Sequence, residues 1–364
     1  MNAITQDPEL GAGGRGAVTL GRVRGLSGKL TPVWAVLLAF LVGAIPIAAA
    51  GVNPIDAYST VLTGALGGPY ELSVTVRFMI PLCLAGLAVA IPYRCGLFNI
   101  GAEGQLALGA VAALAVSLYV PAPPGLHVLL CLLAAAAAGA LWGAVPGALL
   151  AFRHANEVIT TIMLNFVALF ILQYLVRVPW RSGEGLFPVS KDVPESARLA
   201  ELGTTGNWHM GLFVALAAVA VAWVLVYRTR FGFSLKIMGN GLRAAHNVGI
   251  SVKKMFVLSM SVGGLFAGLA GSTELLGVQY NLSPLFNPGY GFDAIGIAIL
   301  SRGNPLLVLI FAFVFGGLRA GVTLMQRVEG VPAAIGQVLI ALPVIFLAID
   351  AARQQYSQRR LRNG

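Results

Sequence analysis

Apolar runs of membrane length alternate with short polar segments along almost the whole chain. Against the roughly 20 residues that a helix needs to cross a bilayer, ten spans are predicted. They lie near 32–51, 72–92, 101–120, 126–150, 157–177, 210–227, 255–277, 288–301, 304–322 and 332–350. The eighth is short for a crossing, which fits a tilted, partly re-entrant or protein-buried helix. Composition strengthens the picture: 57% of the 364 residues are hydrophobic, 10% are charged and 45 are glycine. Soluble domains carry roughly 25% charged residues, and their core helices seldom hold about 20 apolar residues in a row. The expected fold class is therefore all-α, a polytopic membrane helical bundle.

Lysine and arginine set the orientation, because cytoplasmic loops carry an excess of them. With both termini cytoplasmic, 17 of the 24 basic residues face inward, among them Arg94, Arg153, Arg228, Arg243 and Arg302. The outer side keeps Arg177, Arg181, Lys191, Arg198, Arg319 and Arg327, and Arg77 sits near the outer end of the second span. Topology and anionic lipid account for the net charge of +10 without a nucleic-acid partner. This threading gives a cytoplasmic tail over 1–30, one membrane domain over 31–350 and a basic cytoplasmic tail over 351–364. Arg22, Arg24 and Lys29 ahead of the first run, with Ala48, Ala49 and Ala50 at its end, share features with a cleavable signal peptide. The run is long for one and many spans follow, so a retained helix is expected. Cys83, Cys95 and Cys131 lie in or beside apolar runs without metal-like spacing, as packing residues do.

Between the second and third spans the chain reads Tyr93-Arg-Cys-Gly-Leu-Phe-Asn-Ile-Gly-Ala-Glu-Gly-Gln105, where Gly96, Gly101 and Gly104 are too dense for a straight helix. A broken or frayed helix start is predicted. Lipid satisfies neither a free backbone group nor a carboxylate, so this segment must point into protein or trapped water. Asn99, Glu103 and Gln105 open the third span, Glu157, Thr161 and Asn165 share one face of the fifth, Glu274 and Gln279 close the seventh, and Asp293 begins the eighth. Such groups either line a solute path or hydrogen-bond helix to helix.

Two hydrophilic segments interrupt the spans. The outer one, 178–209, with Glu184, Asp192 and Glu195, is a solvated linker or a docking or lid element. The inner one, 228–254, holds a short helix beginning near Gly241, capped by Asn240 and stopped by Gly249. Arg243, Ala244 and Ala245 on it suit a groove on another protein. Gly139, Gly143 and Gly147, with the pairs Gly264/Gly268 and Gly317/Gly321, have the four-residue spacing of close helix contacts. Gly96-Leu-Phe-Asn-Ile-Gly and Gly291-Phe-Asp-Ala-Ile-Gly share the pattern G-x-x-x-I-G at two span starts on opposite sides of the membrane, as an inverted repeat requires.

Four stretches, Gly96 to Gln105, Asn156 to Asn165, Gly239 to Gly249 and Gly291 to Leu300, together resemble the permease subunits of bacterial ATP-binding-cassette (ABC) importers for nucleosides and simple sugars. The wider group includes ribose and branched-chain amino-acid permeases. The first two stretches are similar to the nucleoside-type branch, in particular to one of its two paralogous permeases. The resemblance implies a multi-pass protein of the bacterial cell (inner) membrane. Its implied partners are ABC ATPase subunits, a second paralogous permease in a heterodimer, an extracytoplasmic solute-binding protein and a small-molecule solute. Gly239 to Gly249 match the position of the coupling helix that docks on the ATPase. ATP and Mg²⁺ would sit on that partner and no cofactor on this chain, which lacks a G-x-x-x-x-G-K-[ST] phosphate loop.

Alternating access is the mechanism so implied, with Asn99, Glu103, Gln105, Glu157, Thr161, Asn165 and Asp293 as candidate pathway groups. An ion-coupled secondary transporter is the alternative, and the cytoplasmic helix argues against it. Intramembrane catalysis is disfavoured, because His127, His154, His209 and His246 all lie in loops or at span ends and no H-E-x-x-H occurs.

Overall fold

The computed structural model describes residues 37–182, 187–203, 208–286 and 288–343, together with 345, 346 and 349. The expected tails and Glu184 lie outside the described residues. Among the described residues thirteen α-helices follow in order: α1 Leu37–Ala49, α2 Pro54–Leu66, α3 Pro69–Tyr93, α4 Ala102–Tyr119, α5 Leu126–Arg153, α6 Glu157–Arg177, α7 Gly211–Arg228, α8 Arg230–Asn240, α9 Leu242–Asn247, α10 Val252–Glu274, α11 Tyr290–Ser301, α12 Pro305–Val328 and α13 Ala333–Pro343.

Seven helices among the described residues are long and apolar enough to cross a membrane: α3 to α7, α10 with its continuation to Gln279, and α12. An eighth crossing is obtained if α1 and α2, bent by 115° relative to each other, form one broken span. Of the ten expected spans, seven or eight are found among the described residues, and the first (32–51) and last (332–350) run into residues outside them. The first is a 13-residue helix that turns into the unpredicted α2. The eighth is α11, 12 residues and mostly buried. Asn53 accepts a hydrogen bond from the Ile55 amide, and Pro54 stands at the first helical position, which together start α2. The same asparagine device starts α6 at Asn156 and α12 at Asn304.

Helix α3 is the centre of the bundle, buried on every side from Met79 to Pro92. Around it pack α10, α12, α11 and α7, while α5 and α4 lie on the far side of α10. Peripheral α6 buries one stripe, Thr161, Asn165, Ala168, Leu172 and Val176, and leaves Phe166, Phe170 and Tyr174 exposed on other faces. That is the pattern of a lipid-facing helix. A smaller core of Ile47, Ala57, Val61, Val322, Met325 and Leu339 joins α1, α2, α12 and α13.

The glycine spacings mark backbone contacts. A methyl group on Gly139 would overlap the Gly264 carbonyl, and one on Gly264 would overlap that of Gly139. Gly143 meets Met260, Gly147 meets Phe256, and Gly321 on α12 meets Val61 on α2 in the same way. Without a hydrophobic force between helices in lipid, such close approach supplies the association energy through dispersion.

The outer segment is packed, not loose. Val193 and Ala197 are fully buried, and backbone bonds run from Ser190 to the Leu282 carbonyl (2.9 Å), from Val193 to Tyr280 (2.7 Å) and from Leu199 to Leu276 (2.9 Å). Asp192 accepts from the Asn281 side chain at 3.0 Å. The segment is a cap over the C-terminal end of α10, which continues from Leu275 to Gln279 as a widened turn. His209, on a two-residue strand paired with Glu201–Leu202, wedges its ring between Gly211 and Gly277. Burial, aided by the Arg77 guanidinium, pushes its pKa down to about 4.

Candidate functional site

The break after α3 is ordered. Gly96 takes a positive φ of 82°, and Leu97 and Gly96 donate to the carbonyls of Pro92 (3.1 Å) and Tyr93 (3.0 Å). These two bonds form a glycine-terminated helix end that only a residue tolerant of the left-handed region makes cheaply. The chain then turns back along α3. Asn99 donates to the Ala88 carbonyl at 3.1 Å and exchanges two amide bonds with Gln105, at 2.9 and 3.1 Å. α4 consequently starts inside the bundle and not at the level where α3 ends.

Glu103 is 1% exposed, and its carboxylate accepts the amides of Gly289 (2.8 Å) and Gly291 (2.6 Å) at the start of α11. A carboxylate at a helix N-terminus satisfies free amides and opposes the helix dipole. Gly291 is required here, since a Cβ would run into the Glu103 backbone. At the other end of α11, Arg94 donates to the Gly303 carbonyl at 3.0 Å, so α11 runs alongside α3 from the interior to the level where α3 ends. The two G-x-x-x-I-G starts therefore meet within the protein. The expectation that they stand at opposite membrane faces is corrected: each helix begins part-way through the bundle.

Helix α6 closes the web. Asn165 accepts from the Gly104 amide at 2.8 Å and donates to the Ile100 carbonyl at 2.9 Å. Thr161 is buried but bonds only within its own helix, to the Glu157 carbonyl at 2.6 Å. The Glu157 carboxylate sits half-buried at the start of α6 and forms no ion pair among the described residues. Asp293 lies one turn into α11 and pairs with Arg319 of α12 at 2.7 Å. The same guanidinium donates to the Pro288 carbonyl at 2.9 Å and covers the Tyr290 ring at 4.6 Å. Glu274 accepts from Gln279 (3.0 Å) and Tyr290 (3.2 Å). Sequence reading missed Tyr290 and treated Arg319 only as an outer charge; an arginine inside an apolar span was the available signal.

Asn99, Glu103, Asn165 and the Asp293–Arg319 pair thus bond between elements, while Thr161 bonds only within α6. A further polar cluster lies elsewhere. Tyr70, Glu71, Val74 and Arg77 of α3 face Ala320, Thr323, Leu324 and Arg327 of α12 across a cavity of about 100 Å³.

On the opposite side of the bundle, α8 and α9 fill the inner hydrophilic segment. α8 was not expected, and it takes Asn240 as its own last residue. Asn240 therefore caps nothing on α9; Gly241, at φ 152°, occupies that position, and Gly249, at φ 78°, follows the helix. On α9, Ala245 is buried while Leu242, Arg243, Ala244, His246 and Asn247 are exposed. Gly239 rests on the Arg94 carbonyl, so the α8–α9 unit bears directly on the start of the break.

Discontinuous helices that meet inside a multi-pass bundle define a membrane transport protein. The chain belongs to the family described as branched-chain amino acid transport system / permease component, which it matches over residues 72–348. It is 38% identical over 336 residues to the glucose ABC transporter permease protein TsgB13 of Haloferax volcanii, covering 90% of this chain and 88% of the relative. The guanosine ABC transporter permease protein NupP of Bacillus subtilis is 36% identical over 334 residues, with 91% and 96% covered. The nucleoside ABC transporter permease protein NupB of Lactococcus lactis is 31% identical over 330 residues, with 88% and 90% covered.

Proposed function

We propose that this chain is the transmembrane permease subunit of an ATP-driven importer that moves nucleosides or a related simple sugar into the cell by alternating access. The observation that carries this reading is end-to-end similarity to permeases named for glucose, guanosine and nucleosides. The shape of the cytoplasmic element supports the mechanism. α9 offers Leu242, Arg243 and Ala244 to a partner and is held from behind by Ala245, with Gly239 and Asn240 forming the joint to α8 and Gly249 releasing the chain into α10. ATP and Mg²⁺ act on the partner ATPase. Closure of that partner pushes α9, and α8 transmits the push through Gly239 to Arg94 and the break.

In this reading the web of Asn99, Glu103, Gln105 and Asn165, with Asp293, holds the broken helices that form the pathway wall, Thr161 packs beside Gly101 on that wall, and Glu157 stands at its inner mouth. The N-terminus-to-N-terminus meeting of α4 and α11 supports an inverted repeat. Both termini are cytoplasmic, the membrane is the bacterial cell (inner) membrane, the second permease is a paralogue, and an extracytoplasmic binding protein loads the outer side.

The test replaces Leu242, Arg243 and Ala244 together with glutamate in the reconstituted transporter. ATP-driven uptake is expected to vanish with membrane insertion and thermal stability unchanged, because all three side chains are exposed. Uphill transport by this chain without any ATPase, collapsing with an ion gradient, would instead establish a secondary transporter.

A further inference from the structure

The charged groups of the bundle divide into two sets. Glu103, Glu274, Asp293 and Arg319 have hydrogen-bond or ionic partners within the chain. Glu71 and Arg327 have none among the described residues, and Arg77 forms no salt bridge there: it contacts the Phe78 ring at 5.1 Å and acts on Glu274, Tyr290 and His209 only through the longer-range field of its charge. Glu71, Arg77 and Arg327 line one cavity between α3 and α12. Its walls are two matched faces: Tyr70, Val74 and Arg77 at intervals of four and three, and Ala320, Thr323, Leu324 and Arg327 at intervals of three, one and three. Gly64 of α2 completes the lining.

Ionic groups inside a membrane-spanning helix are costly unless paired or hydrated, and Arg77, two turns into α3, shares one cavity with Glu71 in the first turn of α3 and Arg327 in the last turn of α12, a concentration of charge that marks a functional position. Resting on the permease reading above, we propose that this cavity is the protein's half of a solute site that recognises the hydroxyl-bearing ring of a neutral solute, a pentose or hexose. A hydroxyl is both donor and acceptor. Two guanidinium forks and one carboxylate supply the complementary set for neighbouring hydroxyls, and Tyr70, more than half exposed, offers an aromatic face for the ring's apolar side. Glucose and guanosine, named for two of the relatives, share this one structural element.

A volume of about 100 Å³ is too small for a complete small-molecule site, which needs roughly 300 Å³ or more. The second wall is supplied by the other permease of the pair. Exposed Leu62 and Leu66 of α2, next to Gly64 and Tyr70, form the apolar rim against which it closes.

The complete transporter, with its second permease, ATPase and binding protein, is assayed in proteoliposomes with guanosine and glucose. Whichever the wild type concentrates is compared with its deoxy analogue, 2′,3′-dideoxyguanosine or 2-deoxyglucose. Arg77→Gln and Glu71→Gln are expected to raise the KM for the hydroxylated solute about 10- to 100-fold, as loss of a charged hydrogen bond does, and to erase the preference over the deoxy analogue. A merely structural role would depress both solutes equally and leave the preference intact, which would overturn the proposal. Folding is kept out of the result by a second measurement. Val74→Cys is labelled from outside with a membrane-impermeant thiosulfonate; Cys83, Cys95 and Cys131 are buried and give no background. Solute is expected to protect this thiol. Absence of labelling, absence of protection, or protection only by a phosphorylated analogue would each refute the site. Failure of the wild-type complex to concentrate either solute would instead refute the permease reading on which the site rests.

Discussion

The α-carbon of Gly239 lies against the main-chain carbonyl of Arg94, so closely that a side chain at position 239 would occupy the same space. The α8–α9 unit thereby touches the residue at which α3 ends and the break begins. Arg94 in turn holds the far end of α11 through the Gly303 carbonyl and stacks on Tyr227 of α7 at 5.2 Å. Four helices converge on one residue. Replacing Gly239 with valine is expected to separate α8 from α3, with an overpacking cost of about 1–3 kcal/mol. Coupled uptake should fall much further than the thermal midpoint, and the two are measured side by side; equal loss of both would mean that the contact only stabilises.

The Glu103 carboxylate is predicted to be a structural keystone of the two half-helices. Glutamine keeps the shape but presents an amide nitrogen to one of the two backbone N–H groups, leaving it unsatisfied. Glu103→Gln should therefore cost about 1–3 kcal/mol, and Glu103→Ala, which orphans both amides, distinctly more. Thermal unfolding in detergent ranks the variants. An alanine variant as stable as wild type would remove the carboxylate from this role.

His209 gives the cap a pH dependence with a definite sign. Its folded pKa, pushed down to about 4, lies below the ordinary value of 6.5, so between the two the unfolded chain binds the proton and the folded one does not. Stability from this group is full above about pH 6.5 and declines as pH falls toward about 4. Thermal midpoints measured across that window should drop more steeply for wild type than for His209→Gln. Parallel curves would show that the histidine is not the titrating group.

The long apolar runs were legible because membrane length and composition act locally. The expected 72–92, 157–177 and 210–227 became Pro69–Tyr93, Glu157–Arg177 and Gly211–Arg228. Glycine spacing on α5 and α10 was readable for the same reason, as it reports one helix face at a time. α2 escaped notice because Asp56, Ser59, Thr60 and Thr63 interrupt its apolar pattern, although Asn53-Pro54 marked its start. α8 was hidden among basic residues, with only Gly232, Leu235 and Met238 buried. The contact of Glu103 with Gly291 spans 188 positions and depends on tertiary placement. So does the facing of Arg77 and Arg327, whose residues read individually as outer charges.

The seam between α5 and α10 has a mechanical consequence. Gly139, Gly143, Gly264 and Gly268 bring main chain onto main chain, leaving no side-chain layer to shear. The pair behaves as a single plank, and the cap tied to Leu276, Tyr280 and Leu282 rides on its end. A motion that displaces the cap is thus expected to carry α5 and α10 along together.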